Sequence, residues 1–281
     1  MVKPHDGAAR ALAVAHLTAL ECAPVEWVRL AAKAGFDGVG LRLHPATPGG
    51  VAYPVAAGSA AQRELRDVLA GEGVALLDVE FVPVVPDLDP HSLMPLFETA
   101  AALGAASVSV SGDDPDEARL AANLAALAML ATPFGLRIDL EFMRWRHVGT
   151  LAQARAAIGR AAQLNLALVI DALHLSRAGS TPGDVAALPP GAIGLAQLCD
   201  APAVLPANDE EAIHEARSAR LAPGDGALPL DALLRALPPE VALSVEMPMP
   251  SLPEQARMEL AYRGARRVVE RASYTVATAN V

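Results

Sequence analysis

LRIDLEFM (136–143) alternates two kinds of side chain. Leu136, Ile138 and Leu140 fall on one phase, and Arg137, Asp139 and Glu141 on the other. A period of two is that of an extended strand. A parallel strand buried between two helix layers reads instead as a near-continuous apolar run. The same two-faced pattern recurs along the chain. Asp78 and Glu80 oppose Leu77, Val79 and Phe81; Ser107, Ser109 and Ser111 oppose Val108 and Val110; Ser244 and Glu246 oppose Leu243 and Val245. A closed barrel accounts for this, with the apolar phase facing a ring of helices and the polar phase lining a functional lumen.

Eight runs of strand character can be read outward from that stretch: 11–17, 38–44, 74–81, 106–112, 136–143, 166–172, 192–200 and 242–248. Between them lie stretches of helical period near 24–34, 60–72, 91–103, 115–131, 150–163, 181–188, 228–237 and 253–271. Pro24 and Thr150 are start signals, and Gly35, Gly73 and Gly104 are stop signals. Eight βα units in 281 residues give about 35 residues each, the size expected of a (β/α)8 TIM barrel. The competing architecture, an open doubly wound sheet, leaves the polar strand phases unexplained. The chain reads as one barrel domain, 1–281, with tails at 1–10 and 272–281.

Composition narrows the function classes. Hydrophobic residues are 53% of the chain and aromatics 4%, so an Ala, Leu and Val core is expected and disorder is excluded. The net charge of −10 argues against nucleic acid and anionic membrane surfaces as partners. Cys22 and Cys199 form no disulfide framework and no thiolate metal site, which fits a reducing, cytoplasmic setting. Lys3 and Arg10 ahead of ALAVAHLTAL give a leader-like look, but His5, Asp6, His16 and Thr18 interrupt it, and the run is needed as the first strand. No apolar run reaches the length of a spanning helix.

Four polar side chains stand near the carboxyl ends of the last four strands: Glu141, Asp171, Gln197 and Glu246. Catalytic groups of a barrel come from this rim and from different strands. Three carboxylates and an amide oxygen suit a hard or borderline divalent cation, and three carboxylates packed together without one would repel. Each residue alone reads equally as a solvated strand-end group; their recurrence at equivalent places is what points to a site. Further rim candidates are Arg42 and His44, Glu80, and Arg144, Trp145 and Arg146. Arg42 or Arg146 would bind a carboxylate or phosphate, or else pair with Glu80 or other acids and fix loops. Trp145 would wall the pocket or cover a helix end.

IDLEFM (138–143), LVIDALHLSRAG (168–179), AQLCDAP (196–202), RLAPGDG (220–226) and SVEMP (244–248) resemble the sugar phosphate isomerase/epimerase family of xylose isomerase-like barrels. The resemblance covers most of the chain, and Asp171-x-x-His174 and the Arg220-x-x-Pro-Gly-x-Gly run are its most specific marks. It implies one divalent metal ion (Mn, Mg, Co or Zn) held by Glu141, Asp171, Gln197 and Glu246, with Gln197 where sugar epimerases usually carry histidine. It implies substrate oxygens contacted by His174 and by Arg217 or Arg220, and Glu141 and Glu246 as acid and base. The leading expectation is an isomerase or epimerase of a small sugar or keto-polyol, free or phosphorylated, working by proton abstraction beside a carbonyl. Second is a dehydratase of a cyclic keto acid or keto-inositol, similar to 3-dehydroshikimate dehydratase. Third is a non-catalytic barrel subunit or sugar-binding protein. The family's endonuclease branch is set aside, because its histidine cluster and basic surface are missing. The resemblance further implies a homo-oligomer.

Overall fold

The computed structural model describes residues 10–279. Eight parallel strands close into a barrel in chain order: β1 Leu12–Val14, β2 Gly38–Arg42, β3 Ala75–Val84, β4 Ser107–Gly112, β5 Arg137–Glu141, β6 Leu166–Asp171, β7 Ile193–Leu198 and β8 Ala242–Val245, which pairs back onto β1. The helices are α1 Pro24–Ala34, α2 Ala60–Glu72, α3 Met94–Ala102, α4 Glu117–Ala131, α5 Leu151–Ala161, α6 Ala172–Arg177, α7 Pro182–Ala186, α8 Asp209–Ser218, α9 Leu230–Ala236 and α10 Glu254–Ala279. The expected TIM barrel is the fold.

The two strand phases go where their chemistry sends them. Val79, Val108, Ile138, Leu140, Leu243 and Val245 are fully or almost fully buried in one apolar core with Leu124 and Leu127 of α4 and Val268 of α10. The polar phase is buried too, but among polar partners inside the barrel. Arg137 holds Asp139 with two hydrogen bonds, of 2.5 and 2.7 Å, and Ser109 donates to Asp78 at 2.7 Å. A buried polar group without a partner costs about 1–3 kcal/mol, so these pairings are what let a polar lumen exist.

Local signals set the helix ends. Pro24 opens α1, and the Ser59 and Thr150 hydroxyls accept the Gln62 and Gln153 N–H groups at the starts of α2 and α5. Gly35 and Gly73 take left-handed backbone, φ 100° and 68°, and close α1 and α2.

The structure corrects several boundaries. The run 11–17 is strand only to Val14, and His16–Ala19 form a 3-10 turn. Glu80 captures the His16 N–H at 2.7 Å. The His16 ring accepts from the Arg42 N–H at 3.0 Å, faces the Cys22 carbonyl at 2.9 Å, and stacks on Trp27 and Tyr53. Those tertiary partners bend the chain where its apolar character suggests extension. β3 continues to Val84, and α6 and α8 lie in stretches read as loop. The segment read as a tail from residue 272 continues α10 as far as Ala279. Residues 1–9, with Lys3, His5 and Asp6 of the leader-like stretch, and residues 280–281 lie outside the described residues. Among the described residues no helix is long and apolar enough to cross a membrane.

Candidate active site

The rim residues come from strand ends that the register sets side by side. Glu141 closes β5 opposite Ser111, and Asp171 closes β6 opposite Gln197 of β7. Glu246 follows β8, its N–H bonded to the Leu198 carbonyl at 3.0 Å. Asp171 also caps α6. Its Oδ1 accepts the His174 N–H at 2.9 Å, and that N-cap-to-third-residue bond is the physical content of the Asp-x-x-His spacing. The cap starts the helix that carries the imidazole over the site.

The four residues singled out from sequence form one cluster with His174 and Arg220. The Arg220 guanidinium bridges Asp171 Oδ2 and Glu246 Oε2, both at 2.6 Å. Gln197 Nε2 donates to Glu246 Oε1 at 3.2 Å, and His174 Nε2 stands 3.7 Å from Glu141 Oε1. Arg220 is 1% exposed and Asp171 0%, so these charges act on one another with little water between them. Burial drives Glu141 well above the usual carboxylate range, helped by the charges of Glu246 and Asp171. Burial also raises Glu246, but the Arg220 guanidinium limits the rise to about 7. Burial opposes the Asp171 charge, yet Arg220 and His174 outweigh it and hold that carboxyl below its ordinary value. Burial lowers His174 to about 4, so its ring is neutral near pH 7.

The cluster fits a divalent cation. Ligand atoms of Glu141, Asp171 and His174 lie within 4.8 Å of one another. Glu141 Oε1, Gln197 Oε1 and His174 Nδ1 are buried with no hydrogen-bond partner. Two orphaned oxygens beside three carboxylates are what a hard or borderline ion satisfies. His174, expected only to touch substrate, is also spaced as a ligand.

A cavity of about 200 Å³ opens over this cluster. Leu17, Leu20, Phe81, Met143 and Trp145 give it an apolar wall, and Arg42, Arg146 and Arg217 line it with charge. Arg42 pairs with Glu80 at 3.1 Å, and Arg146 pairs with Asp113. Both arginines thus make the acid pairs that a loop-fixing role needs, and both also face the cavity. Arg217 has no acid partner among the described residues. Burial lowers its pKa, and the neighbouring Arg146 and Arg42 charges lower it further. Trp145 walls the pocket and meets His174 edge to face at 5.2 Å. Arg220, expected as a substrate contact, also spends its guanidinium on Asp171 and Glu246. His44 is not brought into the cavity lining; its Nδ1 faces the Phe81 carbonyl at 3.3 Å. Ser109 lines the cavity and was visible beforehand only as one member of a polar strand phase.

Residues 28–269 match the model of the xylose isomerase-like TIM barrel family. The chain belongs to that family. Within it, a 120-residue stretch (42% of this chain) is 35% identical to 3-dehydroshikimate dehydratase of Pseudomonas aeruginosa and spans 18% of that protein. A solved xylose isomerase-like TIM barrel/4-hydroxyphenylpyruvate dioxygenase fusion protein superposes with a TM-score of 0.79 at 22% identity, over 97% of this chain and 45% of that one. The IOLI protein with a bound zinc atom superposes with a TM-score of 0.76 at 22% identity, over 93% and 99% of the two chains. L-ribulose 3-epimerase does so with a TM-score of 0.73 at 17% identity, over 97% and 98%. The xylose isomerase-like barrel thus has both epimerases and dehydratases among its relatives, and the structural likenesses at these identities show the fold alone.

Proposed function

We propose that this xylose isomerase-like barrel is a divalent-metal-dependent dehydratase of a small cyclic keto acid. The observation that carries the choice over isomerisation or epimerisation of a neutral sugar is Arg217, a guanidinium in the cavity wall with no carboxylate to answer it. A substrate carboxylate supplies that partner, and a neutral sugar does not. The apolar part of the lining suits the carbon face of a ring. The stretch shared with the Pseudomonas dehydratase points the same way.

Glu141, Asp171, Gln197 and Glu246 would hold the cation. When bound, it supplies Lewis acidity to the substrate carbonyl. The chain's own residues carry the proton traffic. Glu246, whose carboxylate Arg220 holds at 2.6 Å, is the base that removes the proton beside the carbonyl. The freed electron pair enters the carbonyl as an enolate, then returns and expels the β-hydroxyl. Glu141, which burial keeps protonated well above the usual carboxylate range, gives the departing oxygen its proton, so water leaves. Arg220 NH2 stands 3.5 Å from His174 Nε2, which makes that nitrogen the acceptor and Nδ1 the protonated one. The orphaned Nδ1–H is then free to donate to a substrate oxygen.

The test is to incubate the protein with 3-dehydroshikimate and Mn²⁺, Mg²⁺ or Co²⁺. Growth of conjugated ultraviolet absorbance that is lost in Glu141→Gln and Glu246→Gln supports the reading. Deuterium uptake from D₂O without that absorbance means proton exchange without water loss and restores the isomerase or epimerase reading. Full activity in both variants removes the acid–base pair.

A further inference from the structure

Arg220 sits two residues beyond α8, yet its guanidinium turns inward to bridge Asp171 and Glu246. The loop that sends it there is gathered around one carboxylate. Asp200 lies two residues past β7 and is 1% exposed. Its Oδ1 accepts the Ala201 and Leu228 N–H groups, each at 2.9 Å, and its Oδ2 accepts the Gly224 N–H at 3.0 Å. Its backbone exchanges both hydrogen bonds with Leu221, the residue next to Arg220, at 2.9 and 2.8 Å. A Cβ at Gly226 would collide with Asp200 Oδ1 and the Ala201 carbonyl, so the 220–226 run closes over the carboxylate only with glycine there. From the other side, Arg220 Nε donates to the Ala216 carbonyl of α8 at 2.8 Å. Asp200 itself is not part of the cavity lining.

We infer that Asp200 is a positioning residue: it folds the 220–228 loop around its carboxylate and thereby aims the Arg220 guanidinium at Asp171 and Glu246. The inference stands whichever reaction the rim performs, because it concerns the aim of Arg220 and not the substrate.

The experiment is hydrogen exchange of arginine Nε–H groups in the ¹⁵N-arginine-labelled full chain with Mg²⁺ present. The Arg137 Nε–H, bonded to Asp139 in the barrel, is the internal reference. Asp200→Asn keeps the shape but turns one acceptor oxygen into a donor. Exchange at Arg220 Nε–H should speed by about tenfold or more while Arg137 is unchanged. Gly224→Ala strains the φ of +90° at the other end of the same bond, leaves Asp200 intact and should give the same local change. It also supplies the reading if Asp200→Asn does not fold. On a substrate the native protein turns over, Asp200→Asn should lower kcat by about 10–100-fold. That loss should vanish in an Arg220→Lys background, where the two-carboxylate bridge is already gone. Arg220 Nε–H protected as in the native protein in either variant, or an equal loss of kcat in both backgrounds, overturns the assignment.

Discussion

If the substrate is a keto acid as proposed, Arg217 is the side chain that separates a charged substrate from a neutral one. A guanidinium hydrogen bond to a carboxylate is worth about 1.5–3 kcal/mol, or roughly 10–100-fold in binding. Arg217→Ala should therefore raise KM for a keto acid by about that factor, with kcat much less changed, and steady-state kinetics on 3-dehydroshikimate reads it. Glu246 gives a pH-dependent prediction. Burial raises its folded value to about 7, so in the metal-free protein it is charged only above that pH. Its contribution to stability is present below its ordinary value and is lost as pH rises through about 7. A cation needs the charged form, so the gain in Tm from added Mn²⁺ should grow between about pH 6 and about pH 8, with proton release on binding. His174, at about 4, stays neutral in the folded protein across that window, and comparing each pH with and without Mn²⁺ removes the unfolded chain. An equal gain at both pH values would be evidence against Glu246 as a ligand. Glu141 and Glu246 were legible from alternation, and Asp171 and Gln197 as lone polar groups near the ends of apolar runs. His44 shares a phase with Arg42, but β2 ends at Arg42, so the alternation does not carry His44 into the cavity lining. Asp200 fell within the AQLCDAP stretch but its role was not legible there, since two of its three acceptor bonds go to backbone N–H groups 24 and 28 residues away.

The same capping chemistry does different work in different helices. Asp116 caps α4 by accepting the Ala118 and Arg119 N–H groups, each at 3.0 Å, on an exposed edge. Asp116→Ala should cost about 0.5–2 kcal/mol, seen as a lower Tm, and leave kcat unchanged. Asp171 caps α6 with the same kind of bond but also holds Arg220 within the rim cluster. Asp171→Asn retains an acceptor for the His174 N–H, so it should keep the helix and still abolish turnover. Activity surviving in Asp171→Asn would remove it from the site. The two helices missed from the sequence show where periodicity fails. α6 has six residues, too few to display a period of 3.6. α8 buries only Ala212 and Ala216, so its apolar stripe is faint, although the Asn208 cap and the acids Asp209, Glu210 and Glu211 in the first turn are start signals in plain view. Arg177 then joins these two helices, reaching Glu215 of α8 at 2.7 Å and the Pro202 carbonyl at 2.9 Å. The element that presents His174 is thereby fastened to the element whose Ala216 carbonyl holds Arg220.

Closure of the barrel brings the end of β8, with Glu246, to the same rim as Glu141 at the end of β5, and closure depends on the shortest strand. β1 has three residues and pairs with both β2 and β8. The seam is extended by Thr18, which is fully buried just beyond β1. Its hydroxyl donates to the Val245 carbonyl at 3.2 Å and accepts the Met247 N–H at 3.0 Å, on either side of Glu246. Arg257 of α10 donates to the Thr18 carbonyl at 2.6 Å and pairs with Glu21 at 2.9 Å, so the last helix locks the first turn. The eight-unit count and the two-faced strands made the barrel legible. This latch was not, because a Thr and an Arg 239 residues apart give no local sign that they meet. Thr18→Val keeps the volume and replaces the hydroxyl with a methyl, leaving the Met247 N–H without a partner while the Val245 carbonyl keeps the Ala15 N–H at 2.9 Å. The cost should be about 1–3 kcal/mol, measured as a lower Tm. Because the orphaned Met247 N–H adjoins Glu246, the same variant should also lower kcat beyond what Asp116→Ala does at an equal loss of stability. Two variants matched in Tm and also matched in kcat would mean that the seam holds the barrel shut without placing the glutamate.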